Sequence, residues 1–565
     1  MSTALANKPL IAILTIQEAW RRVRRRLRTG PIHSLRFVGA APDRLASVPP
    51  SLRRGDPFIA EAIYGGRFHL AGKVVQAFDQ SIFHSPMPSA DFTTELHSFA
   101  WLCHHAAAAD TLAAANARAL VSDWLRLASG KLSGPAYEPE TAARRVIAWL
   151  SHADLLLGSA EYDFYRRFLK SLMAQTRFLR SIAQEAPAGM PRLRVRMALA
   201  LATLCLPLAA GRSRTAAQHL ADELDRQILP DGGHISRNPA ALAEILAELL
   251  PIRETLTSQG QPVPKGIYSA IDRMLPALRF FRHTDGTLAQ FNGAGASDVQ
   301  LLASLTRFDE TLGEPLSHAR HSGYHRLSAG GTVVIADTGT PPPLAVSQNA
   351  HAGTLAFELS SENARIVVNC GCPQPGQPEL KRLARSTAAH STLVLDERSS
   401  SRFAGQPGLD RFLGSPLVPG PTEVSVEEVE TAETGRAVGF FASHNGYERE
   451  LGFLHARRLE LSPDGYRLDG EDRLIAPRRT RGRADAQAAD LRFHLHPGVT
   501  VETLGRFARL SLRGQIWRFS ADQNFSVDDS IQFAETSGPR RTLQLVITFV
   551  PGPVTTVRWA FERLS

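Results

Sequence analysis

Cysteine is scarce in this chain of 565 residues, and its spacing excludes two common kinds of stabilised fold. The four cysteines are Cys103, Cys205, Cys370 and Cys372. Four are too few for a disulfide framework at this length, and no pair is spaced C-x-x-C as a zinc ribbon requires. Cys370 and Cys372 could act as a thiol pair, but packing as small apolar side chains explains them without a redox role.

Long apolar runs and nucleic-acid-binding motifs are also absent from the sequence. No run is long enough to cross a bilayer. Aromatic residues make up only 7% of the chain, and no helix-turn-helix, RNP or zinc-finger pattern occurs. The formal net charge is +9, which favours polyanions such as acidic lipid, acidic polysaccharide or nucleic acid. Because the motifs are missing, we expect a partner other than nucleic acid.

The first 90 residues (1–90) form a basic N-terminal arm and a leading segment. Their apolar residues at helical spacing are Ile13, Ile16, Trp20, Val23 and Leu27, and the arginines among them are Arg21, Arg22, Arg24, Arg25, Arg26 and Arg28. This pattern is typical of a helix lying on an anionic membrane surface. An arm whose apolar side packs on the protein itself has the same pattern. The apolar-then-basic order is the reverse of a secretory signal.

The chain changes its hydrophobic period near its middle, and its length already implies two or more domains. Over 91–315, segments rich in Ala, Leu and Arg repeat apolar residues at helical spacing, with Gly or Pro at the breaks. After Gly323 the period becomes two. We predict a bundle, solenoid or closed ring of antiparallel helix pairs over 91–315, then an antiparallel β-sandwich over 323–565.

Three motifs and two loops carry the functional information. "NAHAG" contains Asn349 and His351, "VVNCG" contains Asn369, and "RSTAAHST" contains His390. The loops are "DGGHISRNP" (231–239) and "HTDGTLAQFNGAGASD" (283–298). Over most of the chain, these features resemble the heparinase II/III family of polysaccharide lyases. The resemblance implies an α+β multidomain fold, with an N-terminal α/α toroid or incomplete ring before the sandwich and a cleft between them.

The motifs also depart from the family pattern. Asn349 stands where the family has the first histidine of H-x-H-A-D, and Gly353 stands where it has the aspartate. Asn369 replaces an acidic residue that helps hold a structural metal in some members, whereas His351 and His390 are retained. Family lyases use the first histidine near the scissile bond, so the resemblance implies weakened catalysis.

Lyases of this family cleave uronic-acid glycosides by β-elimination. That reaction needs a group that neutralises the carboxylate, a base and an acid. By resemblance, the predicted catalytic residues are His234, Asn349 and His351. The predicted substrate-binding residues are Arg237, Asn238 and Asn292.

Several of these residues also have ordinary structural explanations. His234 in a Gly-rich loop can be a solvated or capping residue. Asn238 before Pro239 suits a helix N-cap, and Asn292 suits a turn. Tyr268 is the one tyrosine near the family's catalytic position, but it lies within a helical pattern.

One Zn²⁺ ion is the cofactor that the resemblance suggests. His351 and His390 offer imidazole nitrogens, and Asn369 offers a neutral oxygen, a poorer zinc ligand than a carboxylate. We expect the three side chains to lie close together. Alternatively, the histidines bind no metal and brace neighbouring strands.

The predicted function is cleavage of an acidic glycan containing uronic acid, with attenuated activity. The alternative is a non-catalytic glycan-binding or envelope-associated protein on the same scaffold. The predicted partners are an acidic polysaccharide and, through the N-terminal helix, an anionic membrane surface. The resemblance implies the periplasm or cell envelope, while the lack of a clear signal peptide leaves a cytoplasmic or peripheral membrane location open.

Overall fold

A computed structural model of the chain describes most of its residues. The described ranges are 8–29, 37, 39–78, 80–127, 134–309, 313–404, 407–418, 420–430, 437–477 and 486–564. Within them, no helix is both long and apolar enough to cross a membrane.

The N-terminal part is helical, as the 3.6-residue period predicts. The α-helices among the described residues are α1 (Lys8–Thr29), α2 (Pro57–Tyr64), α3 (Ala90–Ser98), α4 (Leu102–Ala108), α5 (Thr111–Leu127), α6 (Pro139–Ser151), α7 (Ala153–Leu157), α8 (Tyr162–Ile182), α9 (Met190–Cys205), α10 (Ala210–Gln227), α11 (Ala240–Ser258), α12 (Lys265–Phe280), α13 (Val299–Thr306), α14 (Pro378–Ala384), α15 (Pro407–Leu413) and α16 (Glu448–Leu451). Capping residues set several starts. The Ser89 hydroxyl accepts a hydrogen bond from the Phe92 N–H before α3, and the Asp298 carboxylate accepts one from the Leu301 N–H before α13.

Neighbouring helices pack against each other and bury one continuous core. Helix α9 contacts α6, α10 and α11, and α12 contacts α10 and α11. Trp124, Trp149 and Phe168 are among the largest side chains buried in this core. Burial of such aromatic surface stabilises the helical domain because the helices are amphipathic and cannot bury their apolar faces alone.

The C-terminal part is built from antiparallel strands. The strands that the structure describes are β1 (Arg67–Leu70), β2 (Lys73–Gln76), β3 (His318–Ala319), β4 (Tyr324–Ala329), β5 (Thr332–Asp337), β6 (Phe357–Ser361), β7 (Ala364–Val368), β8 (Leu393–Leu395), β9 (Val424–Glu430), β10 (Ala437–His444), β11 (Leu454–Leu461), β12 (Arg467–Ile475), β13 (Ala489–Leu495), β14 (Thr500–Leu504), β15 (Phe507–Leu512), β16 (Gln515–Ala521), β17 (Ser526–Gln532), β18 (Arg540–Phe549) and β19 (Val554–Arg563). Strands β1 and β2 form a hairpin in the leading segment.

Two sheets make up the sandwich. One has the order β14-β15-β16-β19-β12-β11-β10-β9. The other has β17-β18-β13-β7-β6-β5-β4-β3, with β8 paired to β13. A second apolar core, including Phe357, Phe493 and Trp559, lies within the sandwich. Every strand pairing among the described residues is antiparallel, so the predicted fold class is confirmed and no parallel βαβ unit occurs there.

Buried polar contacts join the helical part to the sandwich. His283, from the loop after α12, contacts the Glu358 carboxylate on β6 at 2.9 Å. The Gln290 N–H donates to the same carboxylate at 3.0 Å, and Arg365 pairs with it from β7. Burial raises the pKa of Glu358, but Arg365 and His283 outweigh this effect and lower it to about 2. Glu358 is therefore a buried, ionised link between the two domains.

Candidate functional site

A cleft of about 740 Å³ lies between the helical part and the sandwich, and α1 crosses it. Four of the predicted site residues line it, namely His234, Asn238, Asn292 and Asn349. Gly293 brings the loop after α12 against the sandwich. It has φ +93°, and a Cβ there would lie 2.8 Å from the Asn349 carbonyl oxygen. The close approach therefore depends on glycine.

His234 lies in this cleft wall with both ring nitrogens engaged. The Ser236 N–H donates to Nδ1 at 3.2 Å, so Nε2 carries the proton and donates to Gln227 Oε1 at 2.9 Å. Burial lowers the pKa of His234 to about 4. The imidazole is neutral, and because both of its nitrogens are hydrogen-bonded it is not available as a general base.

Arg237 is locked into the domain junction. Its backbone is left-handed, with φ +59°, and its guanidinium is buried. The acceptors of its five N–H groups are the carbonyl oxygens of Ser322, Gly323, Gly339 and Thr340 and a carboxylate oxygen of Asp337. Burial opposes its charge, but Asp337 raises the pKa of the guanidinium. With every donor used, these contacts weigh against the predicted substrate-binding role and give Arg237 a structural one.

Asn292 is likewise committed to the junction. Its side-chain nitrogen donates to the Tyr324 hydroxyl at 2.7 Å and to Asp337 at 3.1 Å, and its oxygen accepts from the His351 N–H at 3.2 Å. The side chain is buried and φ is +49°. These contacts support the alternative of a turn residue that fastens the loop to the sandwich.

The remaining two asparagines differ in exposure. Asn238 accepts from the Ala240 N–H at 2.9 Å, which is the capping role expected before α11. Asn349 is exposed, and its side-chain oxygen accepts from the Lys381 ammonium at 2.7 Å. Burial lowers the pKa of Lys381. The sequence reasoning missed this lysine, for which the basic stretch "ELKRLAR" was the only signal.

His351 and His390 lie in contact, as the sequence predicts, with 3.0 Å between His351 Nδ1 and His390 Nε2. His390 Nδ1 donates to the Ser386 carbonyl at 2.7 Å, so His390 Nε2 accepts from His351 Nδ1–H. The free atom of the pair is His351 Nε2, which is buried without a hydrogen-bond partner among the described residues. Burial lowers the pKa of both rings.

The position at which some family members hold a metal does not fit one in this chain. Both ring nitrogens of His390 are used. Asn369 directs its oxygen to the Ser391 N–H at 3.0 Å and its nitrogen to Glu358 at 3.3 Å. A Cβ on Gly353 would lie 2.7 Å from His390 Cδ2, so His390 occupies space that an aspartate would need. The hydrogen-bonded pair matches the alternative in which the histidines brace the sandwich.

Neither Tyr268 nor Tyr324 is placed to supply the missing acid or base. Tyr268 is half-exposed within α12. Tyr324 is buried at the junction, and its hydroxyl donates to the Arg237 carbonyl oxygen. Burial raises the pKa of Tyr324 above its usual range.

Helix α1 contacts the protein through several of its arginines and exposes five apolar side chains to solvent. Arg21 donates to the Glu185 carbonyl at 2.9 Å, and Arg22 donates to the Phe412 carbonyl at 2.7 Å. Arg25 pairs with Glu138 at 2.6 Å. The exposed fractions on the other side are 52% for Ile13, 67% for Ile16, 57% for Trp20, 46% for Val23 and 64% for Leu27. An arm whose apolar side packs on the protein, the alternative from sequence, is therefore wrong for these five residues.

A second group of polar side chains borders a groove of about 750 Å³, which is lined by His318, Glu428 and the junction residue Arg237. His318 on β3, His325 on β4 and Glu428 on β9 have ligand atoms within 4.8 Å of one another. This group could hold a metal ion, and it is different from the predicted set of His351, Asn369 and His390. Burial lowers the pKa of His325 to about 3, so that ring is neutral.

Comparisons with known proteins agree with this architecture. Residues 311–560 match the heparinase II/III-like, C-terminal family. A protein named FtsZ-localized protein C, from Caulobacter vibrioides, is 32% identical over 494 residues, which is 86% of this chain and 83% of the relative. The chain therefore belongs to the heparinase II/III family.

Solved structures share the fold at low sequence identity. The crystal structure of heparinase III superposes with a TM-score of 0.69 at 14% identity, covering 91% of this chain and 85% of that one. A heparan sulfate lyase HepC mutant from Pedobacter heparinus gives 0.59 at 15% identity, covering 99% and 88%. The chain thus has the scaffold of a polysaccharide lyase.

Proposed function

We propose that this protein is a non-catalytic scaffold with the heparinase fold, attached to an anionic membrane surface by α1. The observation that carries the proposal is the outward apolar face of α1, formed by Ile13, Ile16, Trp20, Val23 and Leu27. The arginines that bind α1 to the body hold this face away from the protein core.

The side chains of the cleft support the proposal that the protein does not catalyse β-elimination. β-Elimination needs a group that exchanges a proton near neutral pH, and positioned acid–base groups contribute about 10²–10⁴-fold in rate. The Asn349 amide cannot exchange a proton as an imidazole does. His234 has both ring nitrogens hydrogen-bonded, and the His351 ring is buried and hydrogen-bonded to His390. Helix α1 also lines the cleft through Leu14, Glu18 and Arg21, which narrows access for a polymer.

We expect the purified chain to release no unsaturated product from uronic-acid polymers. The measurement is absorbance of the unsaturated uronate across a panel that includes heparan sulfate, hyaluronan and alginate. Asn349→His should change nothing on a binding-only scaffold, and Asn349→Ala is the matched control. Product formation that rises in Asn349→His would favour the attenuated lyase predicted from the sequence. Strong wild-type turnover would overturn the non-catalytic proposal.

The proposed membrane attachment rests on the exposed apolar area and the positive charge of α1. Five side chains that are each about half exposed would contribute on the order of 5 kcal/mol if the bilayer interface covered them. Arg24 and Arg26 are exposed beside the apolar face, and Arg24 lies 5.4 Å from the Trp20 ring. Each basic residue near an anionic surface adds about 1 kcal/mol. These magnitudes support reversible attachment.

We predict that the full chain sediments with vesicles containing anionic lipid and that Ile16→Ser with Trp20→Ser weakens this binding roughly 10- to 100-fold. The matched control is Val550→Ser, which removes a side chain that is 76% exposed away from α1. Binding to neutral vesicles should be weaker, and salt should reduce binding to anionic ones. Equal sedimentation of the double variant and the wild type would contradict the proposal.

The name of the relative suggests a partner for the membrane-bound scaffold. We extend FtsZ localisation from the Caulobacter protein to this chain as part of the proposal, supported by 32% identity over most of both chains. The vesicle experiment also tests this part of the proposal, because the wild-type chain should recruit FtsZ polymer to anionic vesicles. If vesicles carrying the wild-type chain leave FtsZ in the supernatant, this part fails while membrane attachment stands. A periplasmic or envelope location stays a prediction from the family resemblance.

A further inference from the structure

The open edges of the two sheets meet at the His318–His325–Glu428 group. Strand β3 ends one sheet and β9 ends the other. His318 and His325 are directly opposite in the β3–β4 pairing, and their rings stack with centroids 3.8 Å apart. Glu428 reaches them from β9. The group therefore spans two sheets that, among the described residues, no backbone ladder joins at this edge.

One atom of the group is buried without a hydrogen-bond partner. His325 is 1% exposed, and no described residue hydrogen-bonds its Nε2 atom. Its Nδ1 atom lies 2.8 Å from the Thr338 hydroxyl, which orients the ring. A metal-binding imidazole usually makes such a hydrogen bond through its other ring nitrogen. That bond fixes the tautomer and leaves the metal-binding nitrogen free.

The remaining two ligand atoms already face that nitrogen. Glu428 Oε1 lies 3.9 Å from His325 Nε2 and 2.7 Å from His318 Nδ1. Ligands about 2.0–2.2 Å from a tetrahedral Zn²⁺ ion are about 3.3 Å apart, which lies between these two distances. His318 and Glu428 are 17% and 21% exposed, so their side chains can make this adjustment while His325 stays in place.

We propose that His318, His325 and Glu428 bind one Zn²⁺ ion, which joins the edges of the two sheets. Two imidazole nitrogens and one carboxylate oxygen are a three-ligand set that leaves the fourth position of a tetrahedral ion open. His318 and Glu428 line the groove together with Arg320 and His321, so a fourth ligand can reach the ion from the groove. An exchangeable water or a small anion completes the coordination. The site is separate from the His351–His390 pair and does not depend on the proposed function.

The test is zinc binding to the tag-free full chain after EDTA treatment and dialysis. We expect calorimetry with ZnCl₂ and elemental analysis to give one Zn²⁺ per wild-type chain. Zinc at about 100-fold excess over its dissociation constant should raise the unfolding midpoint by about 2–5 °C. Glu428→Gln and His318→Ala should each weaken binding by about 10-fold or more and remove most of that shift. Both positions are partly exposed, so these variants are expected to fold.

His321→Ala is the matched control, since His321 lines the same groove outside the ligand group. It should bind zinc as the wild type does. Cobalt(II) supplies a second readout, because three protein ligands and one exchangeable ligand give the visible absorption of a tetrahedral site. Absence of binding by the wild type overturns the proposal. So does zinc binding that Glu428→Gln and His318→Ala leave unchanged.

Discussion

Replacement of Arg237 by methionine is expected to lower the free energy of unfolding by about 3–5 kcal/mol. The change leaves Asp337 as a buried carboxylate without its counter-charge. It also removes the guanidinium donors from four backbone carbonyl groups, of which, among the described residues, only Gly323 keeps another donor, the Thr338 N–H. Methionine has a similar length, so loss of the charge and donors dominates over loss of volume. Urea denaturation followed by circular dichroism measures the effect.

Two comparisons separate this effect from a general cost of removing arginine. Arg320→Met removes a side chain that is 76% exposed and should change stability by no more than about 0.5 kcal/mol. Combining Arg237→Met with Asp337→Asn should cost less than the sum of the single changes, because the residues contact each other. If the free energy of unfolding of Arg237→Met stays within about 1 kcal/mol of the wild-type value, Arg237 does not have the structural role at the domain junction that its contacts imply.

Replacement of Asp472 by asparagine should lower the free energy of unfolding at neutral pH by a similar amount. It should also make that free energy depend less on pH in the acid range. Asp472 is fully buried in the sandwich, where it accepts from Arg457 at 2.8 Å, His455 at 2.7 Å and the Trp559 indole at 2.8 Å. Burial raises the pKa of Asp472, but Arg457 and His455 outweigh it and lower the pKa to about 2. Loss of the buried charge leaves Arg457 uncompensated, at a cost of about 3–5 kcal/mol.

The direction of the pH effect follows from the lowered pKa. Because the folded pKa lies below the unfolded value near 4, the stabilisation by Asp472 is present above about pH 4. It is lost as the pH falls towards 2, and amounts to roughly 2 kcal/mol. Unfolding midpoints measured from pH 7 to pH 2 should fall less steeply in Asp472→Asn than in the wild type. The exposed Asp528→Asn variant should keep the wild-type slope, and equal slopes in all three proteins would contradict this assignment.

Much of the fold was predictable because it depends on local periodicity. A 3.6-residue repeat requires a helix to place its apolar residues on one face, and a repeat of two requires a strand. The change after Gly323 therefore predicted the order of the two architectures. Strand order was not predictable in this way, since the neighbours of β13 are β18, β7 and β8, which are distant in sequence.

The candidate site was predictable only in part. The motifs placed His351 beside His390, and the resemblance supplied that pairing. They did not indicate that Asn369 would hydrogen-bond to Glu358 or that Arg237 would use every N–H donor at the domain junction. Hydrogen-bond partners depend on which backbone carbonyl groups are brought near, and those of Arg237 come from residues 322–340. A residue type at a motif position therefore predicts what a side chain can do, but not which partner occupies it.

Helix α1 shows the division between sequence and tertiary structure most clearly. The sequence by itself determined that the helix has an apolar face and a basic face, because side-chain spacing sets that separation. Only the tertiary structure decided which face meets the protein. Glu138 and the Glu185 and Phe412 carbonyl groups, from three distant parts of the chain, offer acceptors to the arginines. These arginines consequently contact the protein, and Ile16 and Trp20 are left at the surface.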